Sequence, residues 1–277
     1  MTKRAKAPSG FYGATEAMKR LGMARSSFYD LVEKGKIKRI IPPGRSDGYY
    51  PKADIDRMAK AKELFILEYT EEPSTFEQAT EEDIRGLHEV CKTLWGNLNT
   101  PSYETRMEWY RRNPEMYYVV KQDRIIVGFL GVTPIKKDIL ERMMQQPGLN
   151  EETEDILPFT PGVPIHGLFL EIGVRSDIPK NRKYGRHLIE GGFTVLENFA
   201  KRGIIIEKLY AHSRTPDGIK LCRRMGFNET PPTEGDTRIR FEVDLKKSTY
   251  PPFREYQRIV ESQTRLQRST TPMNNST

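Results

Sequence analysis

The apolar positions of this chain change period several times, and each change marks an element. From Tyr184 to about Arg202, the residues Leu188, Ile189, Phe193, Leu196 and Phe199 fall on one side, the spacing of a helix packed on a sheet. The run that precedes it, Leu168 to Val174, reads as a buried strand. Met116–Lys121 and Ile125–Val132 flank the turn Gln122-Asp123-Arg124 and predict an antiparallel hairpin. Helical patterns cover about 82–94 and 103–112, and a further helix is expected near Asp138 to Gln145 inside a Pro-, Gly- and Glu-rich stretch, 136–164. Lys208 to His212 predicts another strand, Asp217 to Met225 a short helix, and the alternation from Thr237 to Leu245 a closing strand. Phe253, Tyr256, Ile259, Val260 and Leu266 are spaced for one last helix, while Ser269 to Thr277 is expected to be disordered.

The first sixty residues follow another pattern. Residues 1–9 lack periodicity and read as a basic arm. Thr15-Glu16 can cap a helix that ends near Leu21, Gly22 breaks it, and Ser26-Ser27 lie early in a second helix running to about Lys34. Gly35 stops that helix, Lys36 to Ile41 is expected to form a short strand, and Pro42 to Gly48 turns the chain back through Tyr49-Tyr50 as a β-wing. Pro51 then opens a third helix, through about Phe65. The domains expected are therefore a compact unit over 10–65, a linker over 66–74, a larger unit over 75–245, and a C-terminal helix with tail over 246–277.

Charge sharpens this division. The 277 residues carry 45 Lys and Arg against 38 Asp and Glu. Residues 1–62 hold 15 basic and 6 acidic side chains, and residues 63–245 hold 24 and 30, so the excess sits at the ends. A small basic unit joined to a mildly acidic one suggests a nucleic-acid module attached to something else. The two cysteines, Cys91 and Cys222, imply no disulfide framework, which fits a reducing cytoplasm. No segment approaches a membrane span, and the four His and two Cys show no metal-ligand spacing, so neither membrane nor metal is expected.

One stretch combines several of these signals. The strand ending at Ser176-Asp177-Ile178-Pro179 gives way to Lys180-Asn181-Arg182-Lys183-Tyr184-Gly185 and then to a helix, turning backbone N–H groups, a helix N-terminus and several cations toward one place. An anion the size of pyrophosphate fits there.

These residues resemble the acyl-CoA loop of the GNAT acetyltransferase superfamily, with Ile172-Gly173-Val174-Arg175 at the strand end and Lys180-x-x-Lys183-x-Gly185 in the loop. Lys183 stands where the family has its first loop glycine, and Lys180 where it has Arg or Gln. Tyr210 to Phe227 resembles the family's fifth strand, next helix and x-Gly-Phe turn, with Cys222 in place of the usual Tyr. Thr75 to Ile84 resembles its first strand and helix start, Thr80 being the cap. The resemblance implies a mixed α/β (α+β) sheet flanked by helices and acetyl-CoA as co-substrate of an N-acetyltransferase. It also implies a splay between fourth and fifth strands that offers the backbone of Ile172, Gly173 and Val174 to the pantetheine arm. Arg175 and the amides of Lys180, Asn181, Arg182, Lys183, Tyr184, Gly185 and Arg186 would then hold the end of that arm and the pyrophosphate.

In the family's chemistry an amine attacks the thioester directly, so a base and an acid are needed. Glu171 is the only carboxylate within the apolar strand, where burial would raise its pKa, and it is the first choice of base unless it pairs with an Arg or Lys or faces away. Cys222 is the candidate acid toward the leaving thiolate. His166 and His212 are second candidates for the base, and His187 reads as packing or surface. Ala14 to Ile37, the wing and Tyr50 to Asp56 resemble the MerR/excisionase type of winged helix-turn-helix. That resemblance implies double-stranded DNA as partner, with Arg25, Ser26, Ser27 and Tyr29 on the recognition helix and Lys36, Lys38 and Arg45 on the wing. It also implies a homodimer, with the C-terminal helix as candidate dimer element. Two functions follow: a DNA-binding acetyltransferase acting on an amine, or a transcription regulator whose second domain is a catalytically silent acyl-CoA or ligand sensor.

Overall fold

The computed structural model describes residues 7–43, 47–69, 73–96, 100–146, 152–231 and 236–270, without the side chains of 168–169 and 266–270. Residues 1–71 and 72–277 form two compact units.

In the first unit, β1 (Phe11–Tyr12) leads into α1 (Ala14–Leu21), α2 (Arg25–Glu33), β2 (Tyr50–Pro51) and α3 (Lys52–Tyr69). Glu16 accepts the Gly13 N–H at the start of α1, and Gly22, at φ +58°, ends it in the left-handed conformation that glycine adopts without a Cβ penalty. Three residues later α2 begins. Phe28 is wholly buried and meets Tyr29 and Tyr50 edge-on at ring distances of 5.5 and 4.9 Å. With Ala17, Leu21, Ile37, Ile55 and Ala59 it forms a core of this unit's own.

Three expectations change here. The strand expected over Lys36 to Ile41 reduces to one antiparallel bridge, Ile40 to Tyr49, and Arg45 lies outside the described residues. The ladder forms instead between β1 and β2, Phe11 opposite Pro51 and Tyr12 opposite Tyr50. The linker expected from residue 66 is still helix through Tyr69, because Leu64 to Tyr69 holds no glycine or proline to stop α3.

The second unit is built on β3 (Thr75–Gln78), α4 (Asp83–Trp95), α5 (Tyr103–Arg112), β4 (Tyr117–Gln122), β5 (Ile125–Pro134), α6 (Lys137–Gln145), β6 (Pro164–Ile165), β7 (Leu168–Val174), α7 (Asn181–Lys201), β8 (Ile205–Ile206), β9 (Lys208–Ser213), α8 (Pro216–Arg224), β10 (Asn228–Glu229), β11 (Ile239–Asp244) and α9 (Pro251–Thr270). Its main sheet has the order β10-β11-β9-β7-β5-β4-β3. Every neighbouring pair is antiparallel except β7 and β9, so the sheet is mixed, flanked by helices as expected. β6 and β8 make a separate parallel pair. Asp123 and Arg124, both at positive φ, form the two-residue turn between β4 and β5.

Alternation along β7 assigns the two faces. A Cβ on Gly173 would lie 2.5 Å from Leu94 of α4, whereas Val174 lies against Gly185 of α7. On the α4 side, Ile84, Leu87, Val90, Cys91, Met107, Trp109, Val119 and Phe129 close one core. On the other, α7 crosses the sheet so closely that a Cβ on Gly191 would fall 2.4 Å from the Phe76 ring. The stretch 136–164 contributes more than a surface loop: Ile156 bridges to Ile135 and is fully buried, and Phe159 packs on Phe199 at 4.4 Å.

The boundary expected at residue 245 is not one. α9 packs along α7 with Phe253, Tyr256 and Val260 buried, and the Tyr256 hydroxyl donates to the Ile204 carbonyl at 2.8 Å and accepts the Ile206 N–H at 2.6 Å. That apolar face packs inside the unit. Among the described residues no helix is long and apolar enough to cross a membrane.

Candidate functional site

The site begins where a ladder stops. β5 and β7 stay in register from Pro134 opposite Leu168 to Gly128 opposite Val174, but β7 and β9 pair only at Leu168 with Leu209 and Phe169 with Tyr210. Beyond that point the two parallel strands diverge and leave an opening in the middle of the sheet. The Arg175 N–H donates to the Val127 carbonyl at 3.0 Å, which sets the phase of the β5–β7 ladder. By alternation, Glu171 and Gly173 turn their backbone groups to β5, and Leu170, Ile172 and Val174 turn theirs toward the opening. Of the three residues expected to meet a pantetheine arm, Ile172 and Val174 are therefore placed for it. Gly173 serves the packing of Leu94 and Phe129 instead, each within 2.6 Å of where its Cβ would be.

Directly after β7, the chain turns through Lys180 into the N-terminus of α7. Lys180 holds φ +60°, so the left-handed residue of this loop is here and not at Lys183, which lies in the first helical turn. The Lys180 side chain does not cap the helix, and the first turn contains no acid. The amides of Lys183 and Tyr184 bond back to the Lys180 carbonyl at 2.9 and 3.4 Å. Arg182, Lys183 and Arg186 are exposed around this end, whereas Tyr184 is buried and its N–H is taken by the Lys180 carbonyl, so the phosphate contact expected of Tyr184 is not made available. A Cβ on Gly185 would meet nothing nearer than Val174 at 4.0 Å. Arg175 is committed otherwise: its guanidinium pairs with both carboxylate oxygens of Asp177, at 3.1 and 3.2 Å.

Glu171 lies on the α4 side of β7, in a cross-strand line with Gly131 and Tyr117. Its Oε2 would be 3.0 Å from a Cβ on Gly131, so the missing side chain there is what gives the carboxylate its place over β5. It ends 3.4 Å from Nη1 of Arg106, which also donates to the Tyr117 hydroxyl at 3.0 Å. Arg106 is fully buried, while the Glu171 side chain keeps about a fifth of its surface. Burial opposes the Arg106 charge, but Tyr117 and Glu171 beside it drive its pKa upward. The Cys91 thiol shares this pocket and is pushed up to about 12 by burial. Pairing with an arginine, the alternative foreseen for Glu171, is thus the arrangement present.

The other expected groups are dispersed. Cys222 sits half-buried on α8, and burial pushes its thiol up to about 11. A thiol so raised is a weaker proton donor than an ordinary thiol. His166 is exposed with Nδ1 2.7 Å from Glu207, His187 bonds the Ser74 hydroxyl at 2.8 Å, and the exposed His212 lies near the end of β9. A cavity of about 180 Å³ lined by His166, Glu207, Lys208 and Tyr210, and one of about 500 Å³ between Phe76 and Phe199, both lie away from the opening. In the first unit, Arg25, Ser26 and Ser27 are exposed at the start of α2, with the Arg25 guanidinium 5.8 Å from the Tyr29 ring; Lys36 and Lys38 are exposed as well.

Arg106, Tyr117 and Gly131 were not foreseen. The signal for Arg106 was present: it falls on the same helical face as Tyr103, Met107 and Tyr110, where a cation needs a buried partner. Gly131 gave no such signal, because its neighbour lies forty residues on.

No model of a known protein family matches the chain, and no curated relative is found. Among solved structures, a putative acetyltransferase, yncA, from Salmonella typhimurium with its cofactor acetyl-CoA is similar at 13% identity, covering 65% of this chain and 98% of that one, with a TM-score of 0.42. A ribosomal-protein-alanine N-acetyltransferase from Brucella melitensis is similar at 17% identity, covering 61% and 99%, with a TM-score of 0.41. The loading GNATL domain of CurA from Lyngbya majuscula is similar at 13%, covering 64% and 100%, with a TM-score of 0.45.

Proposed function

We propose that residues 72–277 are a GNAT-like N-acetyltransferase domain that takes acetyl-CoA as co-substrate, and that residues 10–69 bind double-stranded DNA. The observation that carries the first half is the early end of the β7–β9 ladder, with the N-terminus of α7 opening at the far end of β7 without a side-chain cap from Lys180 or an acid in its first turn. Bound acetyl-CoA supplies the acyl group as a thioester. Ile172 and Val174 offer it the hydrogen bonds that β9 does not take. The start of α7 offers the N–H groups of Asn181 and Arg182 and the exposed cations of Arg182, Lys183 and Arg186 to the pyrophosphate. The amine nitrogen bonds to the acyl carbon, the carbon–sulfur bond breaks, the ammonium proton passes to Glu171, and the departing thiolate takes a proton from solvent. Cys222 is a poor donor for that last proton.

The basic surface of α2 and the residues after it supports the second half, since exposed Arg and Lys supply the phosphate contacts that position a reader on a duplex.

One observation favours the other reading, a regulator that binds acyl-CoA without turnover: the half-buried Cys222 stands where the departing thiolate needs a proton donor, and burial pushes its thiol up to about 11. Release of free CoA from acetyl-CoA against a panel of amines, in wild type and Glu171→Gln, separates the two. Turnover that falls in the variant supports transfer. Saturable acetyl-CoA binding with no CoA release supports the sensor. Failure to bind at millimolar acetyl-CoA removes both.

A further inference from the structure

We propose that Arg106 is the positioning residue of the acyl-transfer site, holding the Glu171 carboxylate over β5 on the amine's approach. This inference rests on the transfer reading above. Three independent features converge on that carboxylate. Gly131 leaves the space it fills, since a Cβ there would press on Glu171 Oε2 at 3.0 Å and on the Tyr117 ring at 3.4 Å. Tyr117 shares the same guanidinium nitrogen, fixing Arg106 from the strand beyond at 3.0 Å. Arg106 itself projects from α5, a different layer, so the carboxylate is held by three strands and a helix rather than by its own rotamer.

The character of Arg106 argues that structure alone does not explain it. It is the largest fully buried side chain described, yet its Nε and Nη2 have no hydrogen-bond partner among the described residues. Removing a guanidinium from water is costly unless its donors are satisfied, and an apolar residue in the same place commonly serves stability as well or better. Among the described residues its one ion pair is to Glu171, whose side chain remains partly open to solvent. A buried cation whose one ion pair among the described residues is to an accessible carboxylate on β7 is built to act on that carboxylate.

The test is a double-mutant cycle on the full chain. Steady-state rates with acetyl-CoA and the accepted amine are measured for wild type, Arg106→Gln, Arg106→Lys, Glu171→Gln and the double variant, alongside acetyl-CoA affinity by calorimetry. Arg106→Gln is expected to lower kcat by about 10- to 100-fold with the acetyl-CoA Kd within about twofold, and Arg106→Lys to recover part of the loss. In the Glu171→Gln background, Arg106→Gln should cost less than about twofold more, since the residue acts through that carboxylate. Should Arg106→Gln fail to fold, Tyr117→Phe, which removes the hydroxyl that Arg106 donates to, is expected to lower kcat with the same unchanged Kd and to lose that effect in the Glu171→Gln background; an equal loss in both backgrounds overturns the inference. Additive losses, or a Kd that weakens in step with kcat, overturn the inference and leave the transfer reading standing. A wild type that binds acetyl-CoA and never turns over brings down both.

Discussion

Gly185→Ala separates the needs of the fold from those of a ligand. Gly185 is the fifth residue of α7, and a methyl group there would meet only Val174 Cγ2, at 4.0 Å, which is ordinary contact. Within a helix, alanine is favoured over glycine by about 0.5–1 kcal/mol, so the variant should be slightly more stable. For a chain of this size that amounts to about 1–4 °C in Tm. If phosphates of acetyl-CoA close on the first turn of α7, the same methyl group intrudes on them. Overpacking of about 1–3 kcal/mol corresponds to an acetyl-CoA Kd about 5- to 150-fold weaker. Differential scanning fluorimetry and titration calorimetry on the full chain read the two effects separately. Equal acetyl-CoA affinity in wild type and variant refutes the placement of the pyrophosphate at this turn. Lower stability of the free variant refutes the description of Gly185 as packing-neutral.

Three further expectations are simpler. Burial opposes the Asp83 charge, but hydrogen bonds from Lys121 and Thr80 outweigh it and hold its carboxyl below the usual carboxylate range. Its stabilisation is therefore complete above the unfolded value and lost as pH falls through the folded one, so the urea midpoint should decline in acid more steeply in wild type than in Asp83→Asn. Tyr256→Phe strands the Ile204 carbonyl and the Ile206 N–H and should destabilise the second unit by about 1–3 kcal/mol in urea unfolding; an unchanged midpoint would mean that α9 is not part of this fold. Lys36→Ala and Lys38→Ala should each weaken duplex binding uniformly across sequences and reduce the slope of log K against log salt by about 1, measured by fluorescence anisotropy; binding indifferent to salt would refute phosphate contact by this surface.

What was legible depended on whether the signal was local. Gly22 and Gly35 bound the second helix in sequence because only their own φ matters, and both lie at positive φ. The hairpin around Asp123 and the long helix after Lys180 were equally readable, their periods running through neighbouring residues. Two-residue strands have no period to read, so the pairing of Phe11-Tyr12 with Tyr50-Pro51 was missed, and a wing strand was expected where one bridge forms. The α9 helix was legible as a helix but not as part of the domain, since its docking is decided by Ile204 and Ile206 fifty residues earlier. The same holds for the site. Glu171 stood out as a carboxylate in an apolar strand, but the line Tyr117, Gly131, Glu171 exists only through the registers of two ladders.

Lys180 shows how the local and the distant requirements meet. A non-glycine residue in the left-handed region costs about 1–2 kcal/mol, and glycine at this position would remove that strain. Glycine would also remove a cation from the mouth of α7 and loosen the turn that aims its N–H groups. Asp123 and Arg124 accept the same strain in a hairpin turn where two positive φ values are the geometry of the connection. No hairpin constraint applies at Lys180: the chain leaves a strand and enters a helix, and many loops make that passage without a left-handed lysine. The strain instead sets the start of α7 beside the point where β7 and β9 part, with Arg182, Lys183 and Arg186 around it and no acid in the first turn. Local backbone strain, a helix end without a cap from Lys180 and an interrupted ladder are each unfavourable in a free protein. On the proposed reading, one extended, anionic ligand takes up the N–H groups at the helix end and the backbone groups that β9 leaves, while the strain at Lys180 stays as the cost of aiming them.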